Sequence, residues 1–178
     1  MPGKEIHMRI LVTYYSTGGN TKKVADAIYE ALEKEDRDIK PVTEVDNTED
    51  YSLIFLGFPI HGHSVPVAVH NFIKNIKPGV SLALFATHSS HKDSRLSREA
   101  VEHALSLSNA SEVLGSFTCR GGADPEVLDR LKEKPEHREW ASSAYSALSH
   151  PDESDLEDAK EFARDMLSKA RKFEKHFL

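Results

Sequence analysis

Apolar runs just long enough for one β-strand alternate along this chain with segments whose apolar residues recur at helical spacing. That alternation leaves few folds open. A strand, a covering helix and a second strand returning in the same direction build a parallel sheet with helices on both faces. The run Arg9-Ile10-Leu11-Val12-Thr13-Tyr14 reads as a first buried strand. From Thr21 the period changes, with Val24, Ile28 and Leu32 four residues apart on one helical face. Residues 39–45 alternate as a second strand; Pro41 within it cannot donate to a ladder, which assigns that strand to a sheet edge. Residues 53–58 are continuously apolar, as in a strand covered on both faces. Ser64 and Pro66 then read as the cap and first turn of a helix carrying Val69, Phe72, Ile73 and Ile76. A fourth strand over 80–86, a helix marked by Leu96, Ala100, Val101, Ala104 and Leu105, and a fifth strand over 113–119 complete the series.

The pattern loosens after Cys119. Asp124-Pro125 suits the start of a short helix through Leu131, and residues 132–150 are polar. Ser154 and Glu157 have the spacing of a capping box for a last helix with Leu156, Ala159, Phe162, Ala163, Met166 and Leu167 on its core face. The expected fold is one α/β domain over residues 8–170, with an atypical insert at about 120–150 and flexible termini at 1–7 and 171–178. With the proline strand at an edge, the doubly wound five-stranded parallel sheet has order 2-1-3-4-5. Its topological switch point lies between strands 1 and 3, so a ligand is expected beyond Tyr15 and Phe58.

The loop at that point reads Tyr15-Ser16-Thr17-Gly18-Gly19-Asn20-Thr21, and a helix begins at once. Backbone N–H groups at a helix N-terminus favour an anion. Ser16, Thr17, Asn20 and Thr21 add uncharged donors, and Gly18 and Gly19 let the backbone curl closely. This is a phosphate cradle without a lysine, suited to a terminal monoester. It resembles the phosphate loop of the flavodoxin family, Ser/Thr-x-Thr-Gly-x-Thr, matching at Ser16, Gly19, Asn20 and Thr21 and departing at Gly18, where that family commonly has threonine. Tyr51-Ser52-Leu53-Ile54-Phe55-Leu56-Gly57-Phe58-Pro59-Ile60 is similar to the family's third strand and the loop that embraces the flavin ring.

The resemblance implies one noncovalently bound FMN. Its phosphate would sit on Ser16, Thr17, Gly18, Gly19, Asn20 and Thr21. Its ring would lie between Pro59, Ile60, His61 and Gly62 on one loop and Thr87, His88 and His91 on another. It also implies electron transfer between a reductase and an acceptor enzyme. An NAD(P)H-dependent FMN or quinone reductase on the same fold is the alternative. The aromatic residues that usually sandwich the ring in flavodoxins are missing from both loops, and the lone tryptophan, Trp140, lies in the insert.

Other chemistries fit less well. The Gly-Lys-Ser/Thr of a nucleotide P-loop and the Gly-x-Gly-x-x-Gly of a dinucleotide fold are absent. The position six after Cys119 is Pro125, not the arginine of a low-molecular-weight tyrosine phosphatase. His61-x-His63 and His88-x-x-His91 could supply imidazoles to zinc, but no neighbouring carboxylate or cysteine supports a metal site. A formal charge of −6 without a basic stripe argues against nucleic-acid and anionic-membrane partners. A single cysteine precludes an intrachain disulfide and fits a cytoplasmic setting.

Overall fold

A computed structural model describes residues 7–61, 64–90, 94–110 and 112–177. Five strands, β1 (Arg9–Tyr14), β2 (Asp36–Pro41), β3 (Leu53–Pro59), β4 (Ser81–His88) and β5 (Glu112–Arg120), form one parallel sheet of order β2-β1-β3-β4-β5. Helices α1 (Asn20–Ala31), α2 (Val67–Lys74) and α3 (Arg95–Ser106) lie in three of the four crossovers, and a 3-10 turn (Val42–Glu44) lies in the one from β2 to β3. After β5 come α4 (Pro125–Lys132), α5 (Arg138–Tyr145) and α6 (Glu153–Phe177).

The central strands explain the continuous apolar runs. Successive side chains of a strand face opposite sides, and both sides of β3 and β4 are covered. Phe55, Ala83 and Phe85 join Val24 and Ile28 of α1 and Ala163 and Met166 of α6 on one face. Ile54, Leu56, Phe58 and Leu84 join Val69 and Ile73 of α2 and Val101 of α3 on the other. Gly57 permits close packing here, because a Cβ at that position would lie 2.0 Å from a ring carbon of Phe85.

Several boundaries differ from the sequence expectation. The second strand does lie at an edge, but it spans Asp36–Pro41, and Pro41 ends it opposite Tyr14 instead of lying within it. Val42 is buried at the start of a 3-10 turn, so the alternation through residue 45 came from a turn and not from a pleat. Pro66, not Ser64, precedes α2 as its cap residue; Ser64 instead bridges back to His61. The reciprocal cap of α6 is formed by Asp152 and Asp155, each accepting the other's backbone N–H at 3.0 and 2.9 Å, in place of Ser154 and Glu157. Helix α6 continues to Phe177 where a frayed tail was expected, and Arg171 on it reaches Glu35 at 2.7 Å. Within the insert, α5 folds onto α4 through a hydrogen bond from the Tyr145 hydroxyl to Asp129.

At the β1–β2 edge, Asp38 accepts hydrogen bonds from Tyr51 at 2.7 Å and Arg9 at 3.0 Å. The Tyr51 bond and the Arg9 charge hold the Asp38 carboxyl below its ordinary range, while burial and the same bond push Tyr51 up to about 12. A depressed carboxyl stabilises the fold above the ordinary aspartate range and loses that contribution as pH falls through the depressed value. Asp38→Asn should therefore flatten the acid limb of a stability-versus-pH curve. With Asp38 38 % exposed, the loss at neutral pH should stay below about 1 kcal/mol in chemical denaturation.

Candidate functional site

All five strands point their C-terminal ends to one edge of the sheet, and the loops that follow them converge there. The cradle loop turns from β1 into α1 at Gly19, whose φ of 91° lies in the left-handed region that favours glycine. Ser16 folds back over this turn, its Oγ accepting the Gly19 N–H at 3.1 Å. The amides of Asn20 and Thr21 open the first turn of α1, where no intrahelical carbonyl can receive them. No Cβ would meet an obstacle within 4 Å at Gly18 or Gly19, so the space above both is open.

Two cross-links fix the loop. The Thr21 hydroxyl, 1 % exposed, lies 2.8 Å from the Thr87 hydroxyl at the end of β4. Asn20 Nδ2 donates to the Gly122 carbonyl at 2.7 Å. Gly122 in turn donates its N–H to the His150 carbonyl at 3.1 Å, just before α6. His150 Nδ1 meets Asp155 at 2.5 Å. One chain of contacts thus runs from the cradle through the loop after β5 to the start of α6.

A cavity of about 560 Å³ opens over this framework, within the roughly 300–1,000 Å³ usual for small-molecule and cofactor sites. Ser16, Thr17, Gly18, Asn20 and Thr21 line one end; Pro59 ends β3, Ile60 and His61 follow it, and Thr87 and His88 end β4. Gly19 supports the turn without lining this cavity. Gly62, His63 and His91 lie outside the described residues. The histidines on these loops are not equivalent: His88 is 4 % exposed and His61 is exposed. Cys119 is buried in the core on the α1–α6 face and does not line the cavity.

The insert was expected to serve partner choice or to cover the ligand through Trp140; the rest of the remaining wall was not expected from the sequence. Gly121, Gly122, Ala123 and Asp124 pass directly behind the cradle, and Val127 of α4 and Trp140 of α5 face the cavity. The signal that could have found this wall is the glycine pair immediately after a parallel strand, at the sheet edge where ligands bind. A Cβ at Gly121 would press on Asn20 at 3.0 Å, so glycine there lets the two loops touch. The lining carries few charges. Asp124 is committed to capping α4 through the Glu126 N–H at 2.8 Å. The cradle therefore offers neutral N–H and O–H donors at the positive end of a helix. Those donors suit a phosphate monoester beside a mainly apolar body.

Comparison with known proteins agrees with the fold. The family model described as a flavodoxin domain matches residues 11–164. The chain is 33 % identical over 175 residues to the flavodoxin-like domain-containing protein BilS of Clostridioides difficile (strain CD3), covering 92 % of this chain and 98 % of that protein. Among solved structures, oxidised flavodoxin 2 from Bacillus cereus superposes with a TM-score of 0.61 at 21 % identity, over 90 % of this chain and 99 % of its own. A flavodoxin from the domain Archaea superposes with a TM-score of 0.59 at 17 % identity, over 92 % and 99 %. Fold order, cradle and family match agree: the chain belongs to the flavodoxin family.

Proposed function

We propose that this protein binds one FMN and works as an electron carrier, passing electrons from a reductase to an acceptor enzyme. The observation that carries the reading is the lysine-free cradle at the N-terminus of α1, opening into a single cavity with the loops after β3 and β4. FMN supplies reversible uptake of electrons when bound. The protein's own groups do the rest. Ser16, Asn20 and Thr21 with their backbone amides hold the phosphate, and Thr87 positions Thr21 from below. Ile60, Val127 and Trp140 exclude water from the apolar part of the cavity. The net charge of −6 suits partners with a basic face.

The deciding experiment is an absorption spectrum of the purified protein, after addition of FMN if needed, followed by steady-state NAD(P)H oxidation. A carrier shows a bound-flavin spectrum and is nearly inert with NAD(P)H until a reductase is added. A colourless protein that cannot take up FMN overturns the cofactor. Rapid NAD(P)H turnover by the protein alone assigns it to the reductases instead.

Two residues give further expectations. Trp140 is 40 % exposed at the cavity rim and is the chain's lone tryptophan. Its fluorescence should fall strongly when FMN binds, and unchanged emission between the apo and loaded forms would remove α5 from the cofactor's cover. His61 is exposed at the loop after β3. A cationic imidazole there would favour the reduced, more negative flavin. The potential of His61→Ala should therefore lie below that of wild type. Potentiometric curves without an offset at any pH would leave His61 without a tuning role.

A further inference from the structure

The two edges of the sheet are built differently. On one side β2 reads Asp-Arg-Asp-Ile-Lys-Pro, with four charged residues and a terminal proline. Charges and proline are the usual devices that keep an edge strand from pairing with another chain. On the other side β5 is nine residues long, and among the described residues it pairs with β4 alone. Its central stretch Gly-Ser-Phe-Thr-Cys has neither charge nor proline. The one irregularity of the ladder lies upstream, where Leu114 is the extra residue opposite Leu82 and Ala83; from Gly115 onward the register is regular.

The free backbone groups can be assigned. The Gly121 N–H donates to the His88 carbonyl at 2.8 Å and so faces β4. Backbone groups alternate in direction along a strand. Those of Cys119, Phe117 and Gly115 therefore also face β4, and those of Ser116, Thr118 and Arg120 face the open edge. A groove of about 990 Å³ runs along this edge, walled by α3 and α6. Val101, Leu105 and Phe162 make its apolar flanks. Its rim is acidic on α6, where Asp158, Glu161 and Asp165 outnumber Arg164. On the α3 side Arg98 and Glu102 balance. Arg120, held by Ser90, Ser143 and Ser146, adds a cation at one end of the groove. The lining stays acidic, with Glu102, Asp155, Asp158, Glu161 and Asp165 against Arg98, Arg120 and Arg164.

We infer that the β5 edge receives an extended, lysine- or arginine-bearing segment of another protein as a sixth strand. Main-chain bonds form with Ser116 and Thr118, and the basic side chains meet the carboxylates of α6. Strand addition draws affinity from the ladder and specificity from side chains on either face. A second copy of this chain is the poorer occupant. Antiparallel pairing of two β5 edges about a twofold axis normal to the sheet would set α6 against α6, and Asp158, Glu161 and Asp165 against their own counterparts. The strand also leads through Arg120 into Gly121 and Gly122, which line the cofactor cavity, so a segment seated there ends beside that cavity. The pairing itself does not depend on which cofactor the cavity holds.

The test is a titration of the 15N-labelled protein, as purified, with a capped peptide of alternating lysine and valine; the same peptide with glutamate for lysine is the control. The lysine peptide should shift and protect the amides of Ser116 and Thr118, with affinity falling as salt rises, and the glutamate peptide should not. Thr118→Pro removes an outward N–H without touching the β4 ladder and should weaken binding at least about tenfold, the scale of a lost hydrogen bond. Should that variant fail to fold, the exposed pair Glu161→Lys with Asp165→Lys should reverse the preference towards the glutamate peptide. Shifts confined to other surfaces, or equal affinity of wild type and the variants, would overturn the inference. So would sedimentation showing a dimer that protects β5, which would make a second copy the occupant.

Discussion

Riboflavin should bind this protein at least about a hundredfold more weakly than FMN. The two differ only in the phosphate, and in the proposed function the cradle holds that group. A hydrogen bond to a charged group contributes about 1.5–3 kcal/mol net, so two amides at the start of α1 already correspond to that ratio or more. Thr21→Ala should cost FMN about 1–3 kcal/mol and leave riboflavin almost unaffected. Because the Thr21 hydroxyl also lies 2.8 Å from that of Thr87, the same substitution strands a buried hydroxyl. Unfolding of the flavin-free variant isolates that structural part, and flavin fluorescence titrations give the binding part. Equal affinity of the wild-type protein for the two flavins would remove the basis for the cradle.

Gly57→Ala should be among the most destabilising single changes in the molecule. The added methyl would overlap the ring of Phe85, which is fully buried between strands and helices and has nowhere to turn. Overpacking of a tight core typically costs about 1–3 kcal/mol, and a clash with a ring held on all sides belongs at or above the upper end. Gly115→Ala is the contrast: its Cβ would come within 3.1 Å of the Met166 sulfur, a flexible side chain that can yield. Urea midpoints should fall far more for Gly57→Ala, and Phe85→Leu should recover part of the loss in the double variant. A change at Gly57 within about 0.5 kcal/mol, the range of ordinary surface substitutions, would refute this reading of the β3–β4 contact.

The buried strands were legible because a strand covered on both faces must be apolar at every position, as residues 53–58 are. The loop at the head of α1 was legible because a tight entry into a helix favours glycine and small polar residues in a short order, and it does open the helix and line the cavity. Where contrast is low, the sequence was silent. Helix α5 buries Ala141 and Ala144, and Ala147 follows it. Alanine faces barely differ in hydropathy from their neighbours, so the segment read as polar loop. Strand β2 is half-exposed and charged, and its limits come from pairing with β1, which no local pattern encodes. The α6 cap was misplaced because Asp152, Ser154 and Asp155 are all competent caps within one turn, and the fold chooses among them. The histidines of the loops after β3 and β4 look alike in sequence, yet strand register buries His88 while the loop exposes His61.

The contacts running from Asn20 through Gly122 to His150 have a consequence for the life of the protein. A ligand that binds only the folded cradle stabilises whatever the cradle holds in place. Here that is the loop after β5, and with it the ends of the segment carrying α4 and α5. That segment has a small-residue core of its own and is the natural candidate for local opening. A chain without such a ligand would open there first, at the very wall that shields the cavity. Proteolytic turnover would then fall selectively on molecules whose cavity is empty, and its occupancy would set how long each molecule survives.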